Sequence, residues 1–192
     1  WTGQGRLDEA KTAVDEAFEL IDDTIPTYHI GILSMVGGQL ELARDDVDSA
    51  TTLFRRSVDA LRRIGNADVW ATEYCLATAY VKTSRWAEAH ETISRSAKSA
   101  ILFDAVDGVH MTHCYASLTA SKLGLWDELD THLTYLESET PRVMSETIDD
   151  LARATTFLDA DSPVKPSRVW RICAELYDKI GATEKAEWAQ SQ

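Results

Sequence analysis

With 192 residues, 44% of them hydrophobic and 27% charged, the chain can bury a continuous core, which excludes intrinsic disorder as its ground state. A formal net charge of -13 opposes polyanions, so direct binding of nucleic acid or of an anionic membrane by this segment is not expected. No stretch approaches the roughly 18 uninterrupted apolar residues of a membrane helix, no basic and then apolar leader opens the chain, and Cys75, Cys114 and Cys173 are odd in number and set in apolar helical patterns. The expectation is a soluble cytoplasmic protein with reduced thiols.

Helical periodicity runs through the sequence and alternating strand patterns are absent, with only nine glycines and four prolines as punctuation. The first helix is expected over about Leu7 to Ile21, with Leu7, Ala10, Val14, Ala17, Phe18 and Ile21 on one face. Thr24 and Pro26 open a second to Ala43, Asp45-Asp46 caps a third from Val47 to Ile64, and Gly65-Asn66 ends it. Pairs follow at Ala67 to Val81 with Trp86 to Phe103, and at Val106 to Leu123 with Leu125 to Ser138. Thr140-Pro141 then starts an extra helix to Leu158, Asp161 to Pro166 is linker-like, and Ser167 to Ile180 with Thr183 to Ala189 closes the series.

The chain repeats itself. Arg6-Leu7-Asp8-Glu9-Ala10, Asp46-Val47-Asp48-Ser49-Ala50, Arg85-Trp86-Ala87-Glu88-Ala89 and Leu125-Trp126-Asp127-Glu128-Leu129 share one pattern. Their large apolar residues, Leu7, Val47, Trp86 and Trp126, recur at a nearly constant spacing of about 40 residues. The next block, around Thr183, comes later than that period predicts, and the delay is the room the extra helix takes. Leu76-Ala77, Tyr80, Trp86, Ala89 and Ile93, then Trp170, Ala174, Tyr177, Gly181 and Ala186, with Gly38, Val47, Ala50 and Phe54, Ser117, Gly124, Trp126 and Leu133, and Trp1, Gly5, Leu7, Ala10 and Val14, resemble the tetratricopeptide repeat. Units of about 40 residues exceed the roughly 34 of that repeat. Leu129 replaces the usual alanine, and the unit-ending proline is mostly missing. The longer period looks like the arrays of bacterial signal-responsive regulators, the LuxR-type among them. The resemblance implies an all-α fold, a right-handed superhelix of antiparallel helix pairs, as a tetratricopeptide-like α-solenoid of about ten helices. It would be a single domain over 1–192, with the extra helix and linker at 140–166, and a fragment of a longer protein.

Candidate chemistry is sparse. His110, His113 and Cys114 fall within one helical turn, but no Glu-x-x-His or second ligand pair accompanies them, so packing is the better reading and no metal is expected. His29, His90 and His132 sit in separate helices and add no motif. Asp22-Asp23, Asp45-Asp46 and Asp149-Asp150 lack calcium-loop spacing and read as solvated or helix-starting charge. No phosphate loop, nucleophile elbow or Cys/His signature appears, so neither catalysis nor a cofactor is expected.

The first helix of each pair lines the concave surface in tetratricopeptide arrays. Here those faces carry Ile32, Met35, Gln39 and Leu42, then Trp70, Tyr74, Thr78 and Val81, then Met111, Cys114, Leu118 and Ser121. The groove is mostly apolar and has no lysine, unlike the clamp by which some family members hold a carboxylate. It suits an amphipathic helix, an apolar peptide or a small organic ligand, or else these residues pack successive helices together. The expected role is a sensor or interaction domain of a cytoplasmic bacterial regulatory protein, such as a transcription regulator; a scaffold or adaptor is the alternative, and an all-helical enzyme a more distant one.

Overall fold

The computed structural model describes residues 6–21, 27–138 and 144–192. Among these the regular structure is helical throughout: α1 (Leu7–Glu19), α2 (Tyr28–Ala43), α3 (Val47–Arg63), α4 (Val69–Lys82), α5 (Trp86–Leu102), α6 (Val106–Leu123), α7 (Trp126–Ser138), α8 (Ser145–Arg153), α9 (Pro166–Lys179) and α10 (Thr183–Gln190). A short 3-10 turn, Ala154–Phe157, follows α8. The chain divides into two compact units, Trp1–Ser99 and Ala100–Gln192. Trp1 and Gly5, the acidic pair Asp22-Asp23, and the expected openings at Thr24-Pro26 and Thr140-Pro141 lie outside the described residues.

The turns between helices repeat a single device. At Asp45, Gly65, Ser84, Asp104, Gly124 and Gly181 the backbone turns left-handed, and the following amide bonds back to a carbonyl near the end of the preceding helix, as Arg85 N does to Tyr80 O at 2.8 Å and Leu125 N to Ala120 O at 3.0 Å. This Schellman closure satisfies the last carbonyls and reverses the chain within a few residues, which is what sets α3 against α2, α4 against α3, α7 against α6 and α10 against α9 in antiparallel pairs. Helix starts follow their side chains. Asp46 accepts from Ser49 N at 3.0 Å, as the sequence implies, and Thr27 caps α2 by accepting from Ile30 N at 3.2 Å.

In the first unit α2 packs on α3 and on α1, α3 packs on α4, and α2 touches α4. The repeat is visible in hydrogen bonds as well as in spacing. Ser57 Oγ donates to Gly31 O at 2.6 Å, and one repeat further on Ser96 Oγ donates to Trp70 O at 2.7 Å. Both bonds tie the second helix of a pair to a backbone carbonyl of the first. One turn further along α4, buried Glu73 accepts from Arg62 of α3 at 2.5 Å and from Ser99 of α5 at 3.0 Å, joining three helices.

In the second unit α6 pairs with α7 and α9 with α10, while α8 packs against α6 and α9. Ile148 and Leu151 of α8 share one core with Cys114, Leu129, Leu133, Ile172, Cys173 and Tyr177. The extra helix anticipated to Leu158 stops at Arg153 and tightens into the 3-10 turn. Thr155 and Thr156 hydroxyls donate to the Ala152 and Arg153 carbonyls, both at 2.7 Å, and such local bonds compete with continued helix. The linker-like stretch is ordered: Ser162 is buried and donates to Asp159 at 2.9 Å, Lys165 Nζ donates to the Ala160 and Ser162 carbonyls, and Val164 is buried.

Candidate functional site

The anticipated groove residues separate into two groups. On α2 and α4 of the first unit, Ile32, Met35, Leu42, Trp70, Tyr74 and Thr78 are half-buried and Gln39 is exposed, while Val81 is buried. Gln39 Nε2 donates to Cys75 Sγ at 3.6 Å, which holds the two helices side by side. Desolvation pushes the Cys75 thiol up, so at neutral pH it is an uncharged acceptor and not a nucleophile. The result is a mixed apolar and aromatic face with backbone polar groups already satisfied inside the helices.

A cleft of about 390 Å³ adjoins this face between α1 and α2, lined by Ala10, Ala13, Val14, Val36, Gln39 and Leu40, with Arg6 and Glu9 at its edge. None of the residues of α1 is fully buried, and Val36 is 43% exposed. The sequence points to Ala10 and Val14 only as packing residues and does not single out Ala13 or Val36. An amphipathic pattern shows which face is apolar, but whether a neighbour covers that face depends on tertiary contacts. Outside the cleft, Lys11 pairs with Asp15 and Glu41, and Arg44 pairs with Asp8 and Glu41, which ties α1 to the end of α2.

In the second unit Met111 is half-buried and Cys114, Leu118 and Ser121 are buried. The physical reason is α8. From Cys114 to Ser121 every residue of α6 is buried, because α8 and the 3-10 turn pack against the helix that α7 already covers on another side. Burial holds the Cys114 thiol well above its ordinary range.

The histidines are brought together differently from their order in the sequence. His113 stacks on Tyr135 of α7, with ring centroids 3.9 Å apart and planes at 14°, and its Nδ1 lies 3.1 Å from Nδ1 of His132, one turn earlier on α7. His110 is buried with its ring 5.7 Å from that of Tyr135. Desolvation, helped by His110, lowers His113 to about 4, so it is a neutral imidazole at physiological pH. Its neighbour His132 was legible only as a lone residue, since a long separation across antiparallel helices leaves no local motif. Among the described residues no group of three or more His, Cys, Asp or Glu side chains is placed to hold a metal ion.

The carboxylate pair Asp149-Asp150 is split by its surroundings. Asp149 accepts from Tyr177 at 2.5 Å and from Lys185 at 2.8 Å, and these hydrogen bonds draw it below the usual carboxylate range against the opposing effect of burial, while burial raises Asp150, which keeps Arg153 at 2.8 Å. Asp149 thus ties α8 to α9 and α10, whereas Asp150 pairs within α8.

No protein-family model matches the chain, and no curated protein sequence matches it. Solved structures do. One is the Podosopora anserina putative kinesin light chain with nearly identical TPR-like repeats, 13% identical, matched over 97% of this chain and 85% of that one with a TM-score of 0.59. Another is BtubC (BKLC) from P. vanneervenii, 17% identical over 98% of this chain and 88% of that one, with a TM-score of 0.58. The fold is a tetratricopeptide-like helical repeat. With the fold assigned, the small and large positions of the repeat fall into place: Gly38 with Phe54, Ala77 with Ile93, and Ser117 with Leu133 are all buried. No helix among the described residues is long and apolar enough to cross a membrane.

Proposed function

We propose that this chain is a protein-interaction module, and that the face of α2 and α4 captures an amphipathic helix of a protein partner. The observation that carries this reading is α8. It is an amphipathic helix with Thr147, Ile148, Leu151 and Ala152 buried on one side, and it packs against α6 and α9, the first helices of two successive pairs. The first helices of the other pairs, α2 and α4, offer half-buried Ile32, Met35, Trp70 and Tyr74. A partner helix with apolar residues at three- and four-residue spacing would meet this face as α8 meets its own. The module belongs, in this reading, to a cytoplasmic regulatory protein, because its long repeat period resembles the arrays of bacterial signal-responsive regulators. It carries no chemistry of its own.

The test is a helical-peptide library selected against the full chain, with affinities of the recovered peptides measured by fluorescence anisotropy. Met35→Glu and Tyr74→Ser should each weaken the peptides at least tenfold while leaving the thermal midpoint within a few degrees, since both side chains are only half-buried. Peptides that bind both variants as tightly as the wild type would reject this face.

A further inference from the structure

We infer that His113 of α6 and His132 of α7 form a two-imidazole site for a borderline divalent transition ion, Zn(II) or Ni(II), which joins the two helices. The two Nδ1 atoms are 3.1 Å apart, while the ring centroids are 5.0 Å apart with planes at 76°. Two imidazoles meeting head-on along the line of their nitrogens would hold their centroids farther apart than this, so the two ring axes are not collinear. The nitrogen separation is close to the roughly 3.3 Å between two ligands that bind one ion in tetrahedral geometry with Zn–N bonds of about 2.0–2.1 Å.

The surroundings fit that role. Stacking on Tyr135 fixes the His113 ring, and both histidines are half-buried. His113 is neutral at physiological pH, so its ring can offer a lone pair to an ion without first losing a charge. In the metal-free pair one Nδ1 carries the proton that the other accepts; Nε2 of His132 lies out of solvent, so the proton that moves is the one on Nδ1 of His113, which on binding passes to that ring's own Nε2 and leaves both Nδ1 lone pairs for the ion. Imidazole nitrogen selects Zn(II), Ni(II) and Cu(II) over Mg(II) and Ca(II), which prefer oxygen. With two protein ligands the site is weaker than a structural zinc centre.

The experiment titrates the full chain with NiCl2 and with ZnCl2 by calorimetry and by thermal melting, with MgCl2 as control. One equivalent should bind and raise the melting temperature, and Mg(II) should do neither. His132→Gln should weaken binding at least tenfold, as should His113→Phe, which preserves the stack on Tyr135, whereas His29→Gln in the other unit should not. Should a variant fail to fold, the wild type still decides: Ni(II) must shift or broaden the ring resonances of His113 and His132 ahead of those of the other histidines. Absence of binding by the wild type, unchanged binding in both folded variants, or perturbation of other histidines first would overturn the assignment.

Discussion

Gly38 faces Phe54 so closely that an added Cβ would lie 2.6 Å from two ring carbons, and the ring is itself fully buried. Helix α2 can approach α3 only because that side chain is absent. Gly38→Ala is therefore expected to destabilise by about 1–3 kcal/mol through overpacking, despite alanine's higher helix propensity. Urea denaturation measures this, and Phe54→Leu should cost less in the Gly38→Ala background than in the wild type, the coupling expected of side chains in contact. His113 makes a second residue-scale prediction. Its native value of about 4 lies below the 6.5 of a free imidazole, so between those limits the unfolded chain binds more protons than the native one. Stability must then fall as pH drops from 6.5 toward 4, and the part due to this residue should vanish in His113→Phe. A nuclear magnetic resonance titration of His113 with an ordinary midpoint would contradict it.

At the scale of elements, one arginine links α9 to α7. Arg168 donates to Asp130 at 2.5 Å, to Thr134 at 3.0 Å and to both oxygens of Glu137, at 3.1 and 2.8 Å, and Arg171 reaches Glu137 as well. The forked pair lies partly out of water, with side-chain exposures of 26% and 24%, which makes it stronger than a fully solvated bridge. Arg168→Ala is expected to cost about 1–3 kcal/mol, read from chemical denaturation, and Arg168→Lys should recover only part, because an ammonium cannot reproduce the fork. Hydrogen bonding to Arg168 lowers Glu137 from its ordinary value of 4.5, so this contribution is full above that pH and is lost as acid protonates the native carboxylate below it. An Arg168→Ala cost that stays the same from neutral pH to well below 4.5 would show that the charge pair is not its source.

For the whole molecule, the decisive quantity is charge. A net charge of -13 gives phosphate backbones little reason to approach, so the full chain should show no measurable affinity for duplex DNA by fluorescence anisotropy at about 0.15 M salt. Salt-dependent, submicromolar binding would refute this. The repeat also confines interactions to neighbouring helices: within each unit the contacts join elements close in sequence, with the return of α8 to α6 as a short detour. Substitutions on α1 should therefore leave the packing of α9 on α10 untouched.

The sequence by itself determined the helical class, the long repeat period, the capping by Asp46 and the existence of an extra helix before the last pair. Each rests on local chemistry: periodicity, side-chain hydrogen bonds to nearby amides, and turn residues that tolerate left-handed backbone, as at Gly65 and Gly124. Which apolar faces end up covered was decided only by the tertiary structure. Met35 and Cys114 occupy comparable positions in the pattern, yet Met35 is half-buried while Cys114 is buried on a helix that α7, α8 and the 3-10 turn surround. Burial is a property of neighbours that the periodicity of a single helix does not encode. The approach of His132 to His113 has the same origin, because antiparallel packing of α6 on α7 sets two nitrogens 3.1 Å apart across a stretch of chain where the sequence offers no motif.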